Sequence, residues 1–297
     1  MKPKAYDALC QVFPAFEEEH ARRVAEGRVR QSLASVAFVG LARNCDGPLY
    51  ANLHRVLEEG KRFASWQLHI ETNDNTDRTE EVLAAFASEF PQASYRSQTL
   101  DRQQFAAEFA GPRTVALAEY RTACQEWVRE HAPSVDYVAV MDFDAWGGWI
   151  PDAIASGLGW LVRLPGAYGM ASVSLMQVDA GQQGRHWVHY DAWALRLNSY
   201  WDDYTAGHGA WKHQWIPAIG SPPVRVCSAF GGLGIYRREA FLKGRYDGAD
   251  CEHVTFHKSV ADATGQHLFL NPGQRMLMHW LLEASTDGGG NNGDDQR

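Results

Sequence analysis

Buried strands and amphipathic helices alternate in the hydrophobic pattern of the first half of the chain. Unbroken apolar runs predict strands, because a parallel strand covered by helices on both faces reads as a continuous hydrophobic run. Such runs occupy residues 35–41 and 137–141, and residues 63–70 and the short segment 93–99 are predicted as further strands. Apolar residues at helical spacing predict helices over 5–33, 49–59, 78–90 and 113–131. The alternation predicts an α/β fold with a mainly parallel sheet flanked by helices.

Polar loops follow three of the predicted strands, at residues 42–46, 71–77 and 142–146. In doubly wound sheets, ligands bind at the carboxyl ends of the strands. We therefore expect these loops to converge on a ligand site. After residue 145 the pattern loosens, and residues 181–222 are rich in Gly, Trp, His and Pro.

Composition narrows the class of protein. Acidic residues outnumber basic ones, and the net charge of −8 argues against a general nucleic-acid binder. The five cysteines are widely spaced without a CxxC pair, so a disulfide framework or structural zinc site is not expected and a cytoplasmic location is the default. No apolar run spans a membrane and the first 30 residues are too charged for a signal peptide, so any membrane contact is expected to be peripheral.

Asp142 and Asp144 follow the apolar run at 137–141 and are separated by Phe143. If the strand continues through them, residues i and i+2 point to one side, and two carboxylates facing one space repel each other unless a cation lies between them. Hard oxygen ligands suit Mg²⁺ or Mn²⁺ that carries substrate phosphates. Asp-x-Asp occurs about once by chance in a chain of this composition, so its position after a buried strand carries the information. A solvated strand-end turn is the alternative.

Several short segments in fixed order carry a family resemblance. They are Ala-Arg-Asn at 42–44, Glu-Thr-Asn-Asp-Asn-Thr-Asp-Arg-Thr at 71–79, Gly-Pro-Arg-Thr at 111–114, Leu-Ala-Glu-Tyr-Arg at 117–121, Met-Asp-Phe-Asp at 141–144, Tyr-Asp-Ala-Trp-Ala-Leu-Arg at 190–196, Phe-Gly-Gly-Leu-Gly-Ile-Tyr at 230–236, Cys-Glu-His-Val at 251–254, Asn-Pro at 271–272, and His279. With these segments, residues 35–280 resemble a GT-A type glycosyltransferase, and more closely the cryptococcal-capsule α-1,3-mannosyltransferase group and its bacterial relatives. Thr122 departs from the pattern, since relatives often have Asn there.

The resemblance implies a Rossmann-like GT-A fold and a division of the chain. We expect an N-terminal helical segment at 1–34 and a single catalytic domain at 35–285, followed by a disordered tail at 286–297. Within the domain, residues 35–150 would bind the nucleotide and the Trp-rich residues 151–285 would bind the acceptor. The implied activity is metal-dependent transfer of a hexose, with a lean towards mannose, from a GDP- or UDP-linked donor to a saccharide or glycoconjugate hydroxyl.

The resemblance also assigns roles to individual residues. For the donor, the candidates are Arg43, Asn44, Glu71, Asn73, Asp74, Arg121 and Asp142, where Arg121 either forks onto the diphosphate or orients Asp142. For the metal, the candidates are Asp142, Asp144 and His279. For the acceptor, they are Trp146, Tyr190, Asp191 and Trp193, because aromatic faces pack well against sugar rings. Each position also has a structural interpretation, as a turn, a salt bridge or a packed side chain.

Glu252 or Asp250 is the candidate catalytic carboxylate, with Glu252 preferred. An inverting transfer needs a base that deprotonates the acceptor hydroxyl. In a retaining enzyme the same carboxylate would orient the acceptor or the oxocarbenium-like sugar, and as a structural alternative it caps a helix.

Two competing functions remain open. A catalytically silent carbohydrate-binding protein would keep the fold, although Arg121, Asp142, Asp144 and Glu252 together argue against it. A HAD-like phosphatase also has Asp-x-Asp after an apolar strand, but there the motif normally follows the first strand. The base, the sugar, the acceptor, the stereochemical outcome and the oligomeric state are left open by the sequence.

Overall fold

The computed structural model describes residues 9–103, 105, 111–197, 201–202 and 207–281. The predicted tail at 286–297 lies outside the described residues. The first half of the chain confirms the predicted alternation. Its helices are α1 (Glu17–Leu33), α2 (Asp46–Gly60), α3 (Thr79–Glu89) and α4 (Pro112–His131). Its strands are β1 (Ser35–Ala42), β2 (Ser65–Asn73), β3 (Ala93–Gln98) and β4 (Tyr137–Asp142).

These four strands form a parallel sheet in the order β3–β2–β1–β4. Apolar side chains from both faces of β1 and β4 are buried, as unbroken hydrophobic runs predict. One face packs against α2 and α3, and the other against α4. Because the strands run in the same direction, their carboxyl ends meet at one edge, where Ala42, Asn73 and Asp142 each end a strand.

The second half of the chain extends the same sheet with mixed directions. Its strands are β5 (Gly148–Trp149), β6 (Ala167–Asp179), β7 (Arg185–His189), β8 (Arg196–Leu197), β9 (Val224–Ser228), β10 (Leu233–Arg237) and β11 (His267–His279). Its helices are α5 (Ala153–Leu161), α6 (Arg238–Phe241) and α7 (Glu252–Thr264). Beyond β4 the order is β10–β6–β11–β9–β8; β10 is antiparallel to both β4 and β6, whereas β6 and β11 are parallel.

Strand β11 runs further than its short apolar stretch indicates, and the side-chain amide nitrogens of its buried Asn271 and Gln274 have hydrogen-bond partners. The Gln274 amide is fully buried and donates to the carbonyl of Leu233 at 2.9 Å and to Ser172 Oγ at 3.0 Å. The Asn271 amide donates to Ser156 Oγ. These bonds satisfy polar groups that would otherwise oppose burial, and the strand reaches the sheet edge at His279.

Helix α1 crosses α5 at very short range. A Cβ atom added at Gly27 would lie 1.8 Å from the carbonyl oxygen of Ala155, and one added at Gly159 would lie 2.0 Å from that of Arg23. The two glycines therefore let the helices pack backbone to backbone. Among the described helices, none is long and apolar enough to cross a membrane.

Candidate active site

An open cleft of about 680 Å³ lies at the carboxyl edge of the parallel strands. It is lined by the loop after β1, by the turn after β4, by Tyr190 and by the end of β11. Of the residues that the sequence predicts for a site, the cleft brings together Arg43, Asn44, Asp144, Trp146, Tyr190 and His279. Distant parts of the chain thus meet at the edge where a doubly wound sheet binds ligands.

The two aspartates differ in their environment. Strand β4 ends at Asp142, so Asp144 lies in the following turn and the expectation that both carboxylates leave one strand is wrong. The Asp142 side chain is 23% exposed, whereas Asp144 is open to the cleft. The protein around Asp144 raises its pKa to about 6 by desolvation, with a further contribution from the charge of Asp142. The ionised form of Asp144 is therefore disfavoured chiefly by desolvation and further by the charge of Asp142.

The two carboxylates at the end of β4 are of the kind that binds a divalent cation. Within the part of the chain that the structure describes, no three His, Cys, Asp or Glu side chains lie close enough to share one metal ion. Mg²⁺-type sites commonly use one or two carboxylates and take their remaining ligands from substrate phosphates and water. Asp142 and Asp144 match that kind of site, which is completed only when a phosphorylated substrate binds. His279 lines the same cleft, with its ring centroid 4.3 Å from that of Trp146.

Arg121 orients Asp142. The guanidinium is buried on α4, forms an ion pair with Asp142 Oδ1 and donates to the carbonyl of Met141 at 3.3 Å. Its central carbon lies 5.0 Å from the centroid of the Phe230 ring. Desolvation would lower the pKa of Arg121, but the charges of Asp142 and Glu252 raise it above its usual value, so the cation persists. Of the two roles expected for Arg121, the contacts favour the orientation of Asp142.

The loops after β1 and β2 are tied together by side-chain amides. Asn44 adopts a positive φ of 49°, and its side-chain oxygen accepts the backbone N–H of Thr76 at 2.7 Å. The backbone N–H of Asn44 in turn donates to the Asn75 side chain at 3.0 Å. Asn44 thus lines the cleft while its side chain fixes the loop on the neighbouring strand.

Asp74 holds the segment that follows β3. Its carboxylate accepts the backbone N–H groups of Leu100, Asp101 and Arg102 at 2.7–3.1 Å. Desolvation would raise the pKa of Asp74, but the hydrogen bonds from Asn73 and from this backbone outweigh it and lower the pKa to about 2. Arg43 Nη2 lies 3.9 Å from Asp74 Oδ2, and the Arg43 guanidinium donates to the main-chain carbonyls of Arg102 and Gln103.

Glu71 and Asn73 are buried on β2 and do not line the cleft. The Glu71 carboxylate contacts His69 Nε2 at 2.9 Å and accepts from Arg96 Nε at 2.9 Å. Asn73 donates to Asp74 Oδ2 at 2.7 Å. Both side chains therefore organise the end of the strand.

The two candidate catalytic carboxylates have different partners. Asp250 accepts two hydrogen bonds of 3.1 Å from the guanidinium of Arg196. Glu252 is buried at the first residue of α7. Desolvation raises the pKa of Glu252, and the charge of Arg121 opposes that shift. Glu252 therefore belongs to the same electrostatic cluster as Arg121 and Asp142, whereas Asp250 is held in an ion pair.

Aromatic side chains form the wall of the cleft beside the turn that carries Asp144. Trp146 is 39% exposed, and its ring lies beside those of His279 and Trp280. Tyr190 is similarly exposed and lines the same cleft. Of the four predicted acceptor residues, Trp146 and Tyr190 line the cleft and the other two do not.

Asp191 and Trp193 support this wall from behind. Asp191 Oδ2 accepts the backbone N–H of Gly231 at 2.8 Å. Desolvation raises the pKa of Asp191 to about 7, and the charges of Asp142 and Glu252 add to it. Trp193 is partly buried and packs against the core on the α4 side of the sheet.

Two residues that act on the turn carrying Asp144 are given no role by the sequence. Arg113, at the start of α4, lowers the pKa values of Asp144 and Glu252 by its charge, so it acts on both carboxylates. Its signal is its place in the Gly-Pro-Arg-Thr segment at 111–114. Asn52 is fully buried on α2 and contacts the turn that carries Asp144. Its signal is a polar residue among the apolar positions of an amphipathic helix.

Solved structures with a similar fold include glycosyltransferases. GalNAc-T7, determined with UDP, GalNAc and Mn²⁺, has a TM-score of 0.52 at 14% identity and covers 85% of this chain and 45% of that chain. The mannosyltransferase PcManGT from Pyrobaculum calidifontis, in complex with GDP-Man and Mn²⁺, has a TM-score of 0.47 at 13% identity and covers 95% of this chain and 70% of that chain. No protein-family model and no curated protein sequence matches the chain.

The likeness to GalNAc-T7 identifies the class of fold. The parallel sheet in the order β3–β2–β1–β4, continued by the antiparallel β10 and flanked by helices, matches the Rossmann-like GT-A fold of that structure. The predicted Rossmann-like GT-A fold is therefore confirmed. At 14% identity the likeness defines the fold alone, and the activity has to be argued from the site.

Proposed function

We propose that the protein is a metal-dependent glycosyltransferase that moves a hexose from a nucleoside-diphosphate sugar to a hydroxyl of a saccharide or glycoconjugate. One observation carries the proposal. The Asp144 carboxylate opens into the cleft with a raised pKa, next to an Asp142 that Arg121 holds in place. Such a pair of carboxylates is suited to a cation that also binds a diphosphate.

The donor would bind along the edge formed by the loops after β1 and β4. Asp142 and Asp144 would hold Mn²⁺ or Mg²⁺, and the ion would neutralise the charge that develops on the leaving diphosphate. Arg43 lies in the same cleft and supplies a positive charge for the nucleotide. The rigid loops fixed by Asn44 and Asp74 would hold the nucleotide end of the donor in one orientation.

Glu252 is the carboxylate that we assign to the reacting centre. Burial raises the pKa of Glu252, which makes its carboxylate a stronger base towards an acceptor hydroxyl. In an inverting transfer Glu252 would accept that proton. In a retaining transfer it would instead orient the acceptor or stabilise the positive charge of the sugar.

The acceptor would lie against Trp146 and Tyr190. Both rings are exposed in the cleft that Asp144 lines, and aromatic faces pack against the apolar faces of sugar rings. This arrangement would bring an acceptor hydroxyl near the anomeric carbon of a donor held at the metal turn. The mannosyl donor is favoured by the resemblance to α-1,3-mannosyltransferases.

A catalytically silent carbohydrate-binding protein of the same fold is the second candidate, favoured by the exposed aromatic wall alone. The two functions are separated by a panel of UDP- and GDP-linked hexoses incubated with Mn²⁺ and with or without simple saccharides. The transferase hypothesis expects metal-dependent release of UDP or GDP from at least one donor. Binding of saccharides without any release of nucleotide would support the silent alternative.

A further inference from the structure

Asn52 on α2 bridges the backbone on both sides of Asp144. Its Nδ2 donates to the carbonyl of Phe143 at 2.9 Å and to the carbonyl of Ala145 at 2.8 Å. The Phe143 carbonyl belongs to the peptide bond that enters Asp144, and the Ala145 carbonyl belongs to the residue after Asp144. A single buried amide group therefore fixes the main chain before and after the carboxylate that opens into the cleft.

The orientation of the Asn52 amide is itself fixed. Only the NH₂ end can donate to two carbonyls, so the oxygen must face the other way. There Oδ1 accepts a hydrogen bond of 2.9 Å from Arg55 Nη1. Gly148, with a φ of +61°, passes so close that a Cβ atom added to it would lie 2.7 Å from Asn52 Oδ1. The amide is thus enclosed and has a partner for each of these groups.

The N–H groups of the same turn bind to other strands. Asp142 N–H donates to the carbonyl of Gly232 at 2.9 Å and Phe143 N–H to that of Leu41 at 3.2 Å. Trp146 N–H donates to the carbonyl of Met278 at 2.8 Å. These bonds fix the ends of the turn. The carbonyl groups of Phe143 and Ala145 instead accept their hydrogen bonds from Asn52. Without Asn52 these carbonyls would be buried without that donor, and the turn would be free to shift.

We propose that Asn52 is a positioning residue that sets the affinity of the Asp142–Asp144 pair for its divalent cation. The inference rests on the proposed function, because it assigns a determinant of the same metal site. A metal ligand that is fixed by hydrogen bonds beyond the ligand shell binds more tightly, and loss of such support typically weakens metal affinity about 10- to 100-fold. Asn52 supports the site through the main chain and touches neither metal nor sugar.

The test measures thermal stability against Mn²⁺ concentration at a fixed high concentration of UDP and, separately, of GDP. The melting temperature without Mn²⁺ reports the stability of the fold, and the Mn²⁺ concentration that gives half of the thermal shift reports the site. We expect Asn52→Leu to raise that concentration about tenfold. Gln125→Leu is the matched control, because Gln125 is another buried amide that donates to two carbonyls, those of Phe241 and Gly244, on α6 and in the loop that follows it.

Gln125→Leu is expected to lower the melting temperature without changing the Mn²⁺ requirement. Arg55→Met supplies a second variant if Asn52→Leu does not fold, because Arg55 is partly exposed and donates the hydrogen bond that Asn52 Oδ1 accepts. Loss of a positive charge would by itself strengthen cation binding, so a weaker Mn²⁺ response in Arg55→Met reports lost positioning. If Asn52→Leu folds and its Mn²⁺ requirement is unchanged, the inference about Asn52 is overturned but the proposed function is not. If Asn52→Leu does not fold, an unchanged Mn²⁺ requirement in Arg55→Met has the same consequence. No Mn²⁺ response in the unmodified protein overturns the proposed function as well.

Discussion

Arg196 holds Asp250 through two hydrogen bonds of 3.1 Å from one guanidinium nitrogen. The Arg196 side chain is fully buried, and it also donates to the carbonyl of Trp201 at 2.7 Å. The pair joins the segment that carries Tyr190 to the chain that leads into α7. Asp250 is therefore committed to an ion pair, while Glu252, two residues later, lies beside Arg121 in the charge cluster of the site.

The two carboxylates should respond differently to isosteric substitution. Glu252→Gln is expected to lower kcat at least about 100-fold while donor binding and the melting temperature stay close to their original values, because the amide cannot accept a proton. Asp250→Asn removes the charge that compensates buried Arg196 and is expected to cost roughly 2 kcal/mol of stability, less than for a fully buried pair since Asp250 is partly exposed. Steady-state kinetics and thermal unfolding of both variants check this. Full activity in Glu252→Gln would remove Glu252 from the reaction.

Removal of the Asp144 carboxylate should abolish transfer without harming the fold. Asp144 is exposed and raised in pKa by its surroundings and by Asp142, so Asp144→Ala relieves repulsion and is expected to keep or raise the melting temperature. Metal-dependent release of nucleotide should fall to background. Asp262→Ala, at an exposed ion pair with Lys258, is the control and should retain activity. Turnover retained by Asp144→Ala would refute its role at the metal.

The sequence predicts where the site lies in the fold better than which partners its side chains have. Unbroken apolar runs locate β1 and β4, and parallel strands must end at one edge, so the convergence of their loops follows from the pattern. Hydrogen-bond partners far apart in the chain do not follow from it. Nothing local in Asp74 indicates that Leu100–Arg102 will occupy its carboxylate, and nothing in Asp250 indicates Arg196. Polar residues such as Gln274 likewise conceal the length of β11.

Replacement of Trp146 should weaken binding of the acceptor more than binding of the donor. Its ring is exposed in the cleft beside Asp144, so Trp146→Ala removes a surface for a sugar ring without opening a core cavity. We expect the KM for the acceptor to rise about tenfold, which corresponds to roughly 1.4 kcal/mol, with little change in the melting temperature. Trp211 is 48% exposed and does not line the cleft, so Trp211→Ala serves as the control. Equal effects of the two variants on KM would argue against an acceptor wall at Trp146.

Asp191 should make stability depend on pH. Desolvation raises its folded-state pKa to about 7 from an ordinary value of 3.8, so the folded protein retains a proton that the unfolded chain releases. The unfolding free energy therefore loses up to about 1.4 kcal/mol per pH unit between about pH 4 and pH 7 through this group. Asp191→Asn removes that loss. The unfolding free energy of Asp191→Asn relative to that of the unmodified protein should rise between about pH 4 and pH 7 and level off above pH 7. Denaturant unfolding at several pH values measures this difference. A difference independent of pH would contradict the assignment.

Thermal unfolding with Mn²⁺ and nucleoside diphosphates tests the central claim most directly. If Asp142 and Asp144 bind a cation that carries a diphosphate, UDP or GDP together with Mn²⁺ should raise the melting temperature on the order of 5 °C at saturating concentrations. Neither component alone should reproduce the shift, and Asp144→Ala should lose it. The absence of any shift with UDP, GDP or another nucleoside diphosphate in the presence of Mn²⁺ would contradict the assignment of this cleft to a nucleotide-sugar glycosyltransferase.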